Sequence, residues 1–394
     1  MSDPEASKPY SSTPAVRSAG EPYRGIGRPL AQPIYQTTVY AFDSLEAAKT
    51  ADSEGDWFYY RVKGINQTSF EKGIAELEAA EAACACGSGM AAIFNALTVV
   101  LSSGDHVLVD GQVYGGTYAL LVDQLPKFGI SHTFVDMTDY AAVKAAIQPN
   151  TKALYFETVT NPLIRVTDLN YMAQLAKEFG LVSMVDATFT TPCVVRPIEY
   201  GIDVVLHATT KYIGGHSDAL GGLIVGNNDF ITQARTQAKL MGLTQSPFDA
   251  WLNVRSLKTL PLRMEAHSRN ALVVAQWLEK HPKISKVNYP GLESHPQHKL
   301  ALRQMPNGCG GMLSFDLDGG EAAVSQFIAK LKDIPFAPSL ADVITTVSHP
   351  ANTSHKMLPR EDRLALGIGD GLVRLSVGIE DVADIINDLK TALD

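Results

Sequence analysis

At 394 residues the chain has room for two to three domains of roughly 150 residues each, and 45% hydrophobic residues suffice for a large core, which excludes a disordered or fibrous protein. Its 33 basic and 42 acidic residues leave a formal charge of −9, without the basic footprint of a nucleic-acid binder. The longest apolar run, Ala91 to Leu101, is interrupted by Asn95 and falls short of the roughly 20 residues that span a bilayer, so neither nucleic acid nor membrane is an expected partner. The N-terminus has neither the order of a secretory signal nor the Arg-rich character of a transit peptide. Four cysteines make no disulfide framework. A cytoplasmic location is expected.

The first 24 or so residues, rich in Ser, Pro, Glu and Gly, read as a flexible or extended arm rather than a packed element. From about residue 70 helical stretches alternate with β-branched runs. Helices are expected at 69–82, 118–129, 140–148 and 169–180, and strands at 105–111, 132–136, 151–157 and 181–187. Such alternation, with nearly continuous apolar strands, argues for a mainly parallel sheet covered by helices on both faces. ALGGLIVG (219–226) follows IDVVLHA (202–208) after only ten residues, too few for a helical crossover, so an antiparallel return is expected there. A long helical region from Phe230 to about Lys280, broken at Pro247 and Pro261, leads to a smaller α+β part with strands in 310–320 and 372–380 and helices at 321–332 and 382–394. The expected division is an arm over 1–61, a ligand-binding domain over 62–258 and a C-terminal domain over 259–394.

In open α/β sheets ligands sit at the carboxyl ends of the strands, and three places there stand out. Gly87, Ser88 and Gly89 precede a helical run starting near Met90, where small residues let backbone N–H groups approach a phosphate. A glycine turn also serves as a plain connector, and the segment matches neither the P-loop nor the dinucleotide fingerprint. Asp186 closes the apolar run LVSMVD and suits a protonated ring nitrogen or a helix N-cap. Lys211 follows the strand IDVVLHA in a setting that desolvates its amine and makes it a competent Schiff-base former, although most lysines are plain surface charges. A phosphate nest, a carboxylate for a pyridinium nitrogen and a Schiff-base lysine are together what pyridoxal phosphate requires.

These residues stand in stretches, HATTKYIGGHSDALGG, VDATFTTP, VYGGTY, NYPGLESHPQHKLA and LVRLSVGIED, that resemble the pyridoxal-phosphate enzymes of cysteine and methionine metabolism: cystathionine β- and γ-lyases, cystathionine γ-synthase, methionine γ-lyase and the acylhomoserine sulfhydrylases. The resemblance runs from Pro33 to Asp381 and implies the fold-type I architecture with pyridoxal 5′-phosphate as cofactor. By position, Lys211 matches the lysine that carries the cofactor and shuttles protons, and Asp186 the carboxylate on the ring nitrogen. Gly89 and Met90 match the backbone phosphate donors, and Thr210 adds a hydroxyl; Ala208 stands where the family usually has a serine. Tyr114 matches the tyrosine stacked on the ring, also an acid or base. Tyr59 and Arg61 match the pair that reaches the phosphate of a neighbouring subunit, which implies a homotetramer built from dimers with shared sites. Arg374 and the backbone around Ser339 match the clamp on the substrate carboxylate.

The chain departs from the family pattern in several places. Gly64, Ile65 and Asn66 replace a usual N-P-T. Ala119 and Ile344 replace an arginine and a glutamate that in cystathionine-handling members read a distal polar group, and Gly116 replaces the cysteine of several methionine γ-lyases. A less polar distal pocket is expected. HPANTSHKML (349–358) is similar to the sulfhydrylases. The expected activity is elimination at Cβ or Cγ of a sulfur amino acid to thiol, ammonia and 2-oxo acid; the alternative is γ-replacement, of the acylhomoserine sulfhydrylase or cystathionine γ-synthase type. His295 and His298 form H-x-x-H without a third ligand and read as surface or interface residues, so no metal is expected. His216 and Ser217 are read as supports of the cofactor loop, and Cys84 and Cys86 as small apolar residues on opposite sides of a strand.

Overall fold

The larger sheet grows from short runs that are mostly apolar and, except in the edge strand Ser131–Val135, mostly buried on both faces. In the computed structural model, which describes residues 11–17, 29–53, 57–356 and 358–394, these are Ala82–Cys86 (β1), His106–Asp110 (β2), Ser131–Val135 (β3), Thr151–Glu157 (β4), Val182–Asp186 (β5), Val204–Ala208 (β6) and Gly222–Gly226 (β7). Their order across the sheet is β1-β7-β6-β5-β4-β2-β3. Pairing is parallel from β6 through β5, β4 and β2 to β3, while β7 runs against both β6 and β1, the return expected from the short connection.

Strand alternation splits the core into two layers. Leu154, Phe156, Val185 and Val205 face one way, and Tyr155, Met184, Val204 and Leu206 the other. The same period of two corrects the expectation for Cys84 and Cys86, since residues two apart on a strand share a face. Both cysteines pack in the second layer, and Ala83 and Ala85 in the first. All four cysteines are free and buried.

Several element boundaries differ from the sequence expectation. The helix expected over 69–82 is Ile65–Leu77; Ala79 takes a positive φ of 56°, and the chain turns there into β1. The region 118–129 is not one helix but passes from Gly115–Ala119 through a π turn at Leu120–Gln124 to a 3-10 turn at Leu125–Phe128, because Pro126 cannot donate to a continuing helix. Pro247 and Pro261 lie in the first turns of the helices Pro247–Leu257 and Leu260–Leu278, where a missing N–H costs nothing.

Only residues 11–17 of the stretch read as a flexible or extended arm are described. Thr13–Arg17 forms a short helix with Ala15 fully buried; residues 1–10 and 18–28 lie outside the described part. Asn66, one of the departures, accepts from Tyr35 N at 2.8 Å and donates to Pro33 O at 2.9 Å, and Trp251 Nε1 donates to Gln32 O at 2.6 Å. A Cβ on Gly64 would lie 2.1 Å from the Tyr60 ring, which explains a glycine there.

The smaller sheet contains Ile284–Asn288 (β8), Met312–Leu317 (β9), Thr346–Ser348 (β10) and Leu372–Ser376 (β11), antiparallel in the order β10-β11-β9-β8. The helices Gly320–Lys330 and Val382–Leu393 accompany it. His295 is buried rather than on the surface, and burial pulls its pKa down to about 4. His298 bonds through Nδ1 to Pro290 O at 2.9 Å. Among the described residues no group of three or more His, Cys, Asp or Glu side chains could hold a metal ion, and no helix is long and apolar enough to cross a membrane.

Candidate active site

Three strand ends of the larger sheet and one strand of the smaller sheet meet around a cavity of about 280 Å³. Glu157, Asp186 and Ala208, the last residues of β4, β5 and β6, line it, as do Lys211 and Thr210 just beyond β6 and Arg374 from β11. Ser88, Gly89 and Met90 close one end.

Burial, and next the charge of Arg374, lower the Lys211 amine to about 8. About a tenth of it is then uncharged at pH 7, far more than for an ordinary lysine, and able to act as nucleophile or base. Its Nζ donates to Ser339 Oγ at 3.2 Å. Asp186 Oδ1 accepts from Thr188 N at 2.9 Å; burial raises its pKa against the pull of the Thr188 bonds and of His207. Glu157 accepts from Tyr114 N at 2.7 Å and from Asn161 N at 3.3 Å, and burial followed by the neighbouring Asp186 pushes it well above the carboxylate range. Two carboxyls so placed invite a cation, and a protonated ring nitrogen supplies one.

Arg374 is fully buried. Its two terminal nitrogens donate to Asn161 Oδ1 at 3.0 Å and Ser339 O at 3.1 Å, and burial lowers it to about 10. Each terminal nitrogen has a second N–H beyond the bond given, so the fork keeps donors for an incoming carboxylate.

The helix Gly89–Val100 begins at the cavity, capped by Ser88, whose Oγ accepts from Ala91 N at 3.1 Å. N–H groups of a first helical turn lack intrahelical partners. A Cβ on Gly89 would lie 2.7 Å from Ala208 Cβ, so this cradle depends on two small residues. Thr210 Oγ1 lies 3.4 Å from Gly221 O, at the cavity edge. A small-residue helix start, an amine of lowered pKa and a carboxyl pair fit the phosphate, aldehyde and ring nitrogen of pyridoxal phosphate, and Arg374 is left for the carboxylate of a substrate.

Tyr114 is exposed on the rim, with its ring beside Gly116 and Met90. A Cβ on Gly116 would lie 2.5 Å from Tyr114 Cε1 and 3.0 Å from Met90 Sδ, so a cysteine has no room there unless the ring moves. Tyr59 and Arg61 are exposed and are not part of this chain's cavity wall. Arg61 Nη1 donates to Lys239 O at 2.9 Å, with its guanidinium 5.3 Å from the Tyr59 ring. Ala119 and Ile344 are also outside the wall, Ile344 on an exposed loop. His216 Nδ1 bonds Gly214 O at 2.7 Å and Ser217 Oγ bonds Asp342, as expected of supports for this loop.

Sequence reasoning passed over Glu157, Asn161, Thr188 and Ser354, all in the cavity wall. Glu157 ends the apolar strand TKALYFE as Asp186 ends its own, so the same signal would have found it.

Residues 12–394 match the family described as Cys/Met metabolism PLP-dependent enzyme. The chain is similar to a cystathionine gamma-lyase of Bacillus subtilis, with 45% identity over 92% of this chain and 93% of the relative. It is also similar to an L-methionine gamma-lyase of Fusobacterium nucleatum, with 44% identity over 93% of each. The solved cystathionine gamma synthase of Xanthomonas oryzae, in complex with aminoacrylate and cysteine, superposes with a TM-score of 0.93 at 37% identity over 98% of each chain. Matches of this extent place the chain in the family of pyridoxal-phosphate-dependent enzymes of cysteine and methionine metabolism.

Proposed function

We propose that the protein is a carbon-sulfur lyase that eliminates at Cβ or Cγ of a sulfur amino acid of the methionine, cystathionine or homocysteine class, giving a thiol, ammonia and a 2-oxo acid with uptake of water. The observation that carries this reading is the convergence of Lys211, Asp186 and Arg374 on one cavity, in a chain 45% and 44% identical to two named lyases.

When bound, pyridoxal 5′-phosphate supplies an attachment point for the substrate amine and an electron sink for charge developing at Cα. Lys211 holds it, then moves protons at substrate Cα and Cβ, twice for a γ reaction; an amine near 8 suits both directions of transfer. Asp186 keeps a proton on the ring nitrogen. Gly89, Met90 and Thr210 bind the phosphate, Tyr114 covers the ring, and Arg374, itself held by Ser339 O, orients the substrate carboxylate together with the backbone around Ser339. Residues 62–258 form the cofactor-binding part and 259–394 the smaller part that brings Arg374. Tyr59 and Arg61 serve the site of a neighbouring copy, in a tetramer made of two such dimers, and the enzyme works in the cytoplasm.

The likeness to the Xanthomonas synthase supports γ-replacement as the second reading. Product analysis with methionine, cystathionine, cysteine, and acetylhomoserine plus sulfide separates the two. Release of 2-oxo acid from the thioether substrates is expected; turnover of acetylhomoserine plus sulfide alone would establish replacement.

A further inference from the structure

A guanidinium enclosed in a protein costs free energy unless its donors are well used. Arg263, in the first turn of the helix Leu260–Leu278, is 4% exposed, and burial draws it down to about 10. Its hydrogen bonds go to carbonyls and a hydroxyl, none to a carboxylate. Nη1 donates to Tyr212 O at 2.6 Å, Nη2 to Ile213 O at 3.2 Å and Ser256 O at 3.0 Å, and Nε to Thr259 Oγ1 at 3.3 Å.

Two of those carbonyls belong to the residues directly after Lys211. The turn satisfies part of its own backbone: Lys211 N donates to Ala208 O at 3.1 Å, Gly214 N to Thr209 O at 2.8 Å and Gly215 N to Lys211 O at 2.7 Å. The carbonyls of Tyr212 and Ile213 are met by Arg263 instead. Gly215, at φ 74°, makes the approach possible, because a Cβ there would lie 2.2 Å from Arg263 Nη1. The far end of the turn is fastened to the loop that carries Ser339, through Val343 N to Gly215 O at 3.0 Å and through Ser217 Oγ to Asp342.

We propose that Arg263 is a positioning residue for Lys211: by gripping the carbonyls of Tyr212 and Ile213 it fixes the backbone from which the lysine reaches the cavity. The proposal rests on the reading of Lys211 given above. A planar fork meets three carbonyls at once, and a lysine ammonium, a point charge on a flexible stem, does not. Small misplacement of a reacting group costs on the order of a hundredfold in rate, so the clamp acts on turnover rather than on substrate affinity.

The test compares cofactor-loaded wild type, Arg263→Lys and Arg263→Met. Methionine and cystathionine serve as substrates, sites are counted by borohydride-trapped pyridoxyl-lysine, and amide exchange is followed over residues 209–215. Arg263→Lys is expected to lower kcat per site by about tenfold or more with KM within about twofold, to speed exchange at Gly214 and Gly215, and to be surpassed by Arg263→Met. A merely structural arginine would reduce melting temperature and yield but leave kcat per site intact. If Arg263→Met does not fold, Arg263→Lys decides alone, and wild-type kcat per site with wild-type exchange overturns the proposal. Trapping of the cofactor on another lysine in wild type would overturn the Lys211 assignment itself, and is read separately from the exchange data.

Discussion

Glu157 and Asp186 are register partners at the carboxyl ends of the parallel strands β4 and β5, and both carboxyls line the same cavity. Burial is the largest cause raising each of them. Raised folded-state values favour the neutral form, so their contribution to stability is complete below the unfolded carboxylate range near 4 and is lost as pH rises through the folded values.

The cofactor-free protein is therefore expected to lose stability as pH rises above about 4 more steeply than the loaded one, because a protonated ring nitrogen compensates Asp186. Asp186→Asn should flatten the slope of the free form while lowering turnover severely. Melting temperatures from pH 5 to 8, with and without added pyridoxal phosphate, check this. Equal slopes for loaded and free wild type would show that no cation meets the pair.

Lys211 titrates near 8 because burial and Arg374 both disfavour its charge. In the cofactor-free protein its reaction with an aldehyde should rise with pH around a midpoint near 8 rather than near the ordinary lysine value of about 10.4. Lys211→Ala should abolish cofactor attachment and reduce turnover by about a thousandfold or more. Peptide mapping after borohydride reduction reads the attachment site directly, and a pyridoxyl group elsewhere sinks the assignment.

The residues of the site differ in how far the sequence discloses them. Asp186 announces itself by closing an apolar strand and Lys211 by following one closely, where burial makes a charge costly. Gly89 is visible as a small residue before a helix. Arg374, a lone arginine in LVRLSVG, acquires a role only through resemblance, and Arg263 and Asn161 carry no local signal. Their meaning depends on partners distant in the chain: Arg263 binds carbonyls about fifty residues earlier, and Asn161 meets Arg374 from the other sheet. The parallel sheet was legible because its strands are continuously apolar. The attachment of residues 32–35 was not, because composition does not reveal that Asn66 and Trp251 hold them.

Asp110, at the end of β2, accepts from Gln112 N at 3.0 Å, and burial pushes it up to about 7. Its contribution to stability is present below about 4 and lost as pH rises through 7. Asp110→Asn keeps the acceptor without the charge. It should leave stability at pH 4 nearly unchanged and raise it at pH 8 by about 1 to 4 kcal/mol, the upper figure being the full shift at 1.36 kcal/mol per unit. Urea denaturation at the two pH values checks this, and destabilisation at pH 8 would mean that Asp110 is ionised and paired in the fold.

Tyr59 and Arg61 are exposed and absent from the cavity wall of their own chain. Arg61 is nevertheless held, by Lys239 O at 2.9 Å and against the Tyr59 ring, and Thr244 Oγ1 donates to Arg61 O at 3.3 Å. A cation and a phenol fixed on the surface, away from their own site, can serve the site of a second copy. If they do, Arg61→Ala and Lys211→Ala chains are each inactive alone but complementary when mixed. In a hybrid dimer, one site receives Lys211 from one chain and Arg61 from the other, while the second site lacks both. Random re-association of equal amounts makes half the dimers hybrids, each with one of two sites intact, so about a quarter of wild-type activity should return. Mixing either variant with itself should return none. Recovery near zero in verified hybrids, or a fully active monomer on sizing, would confine Arg61 to its own chain.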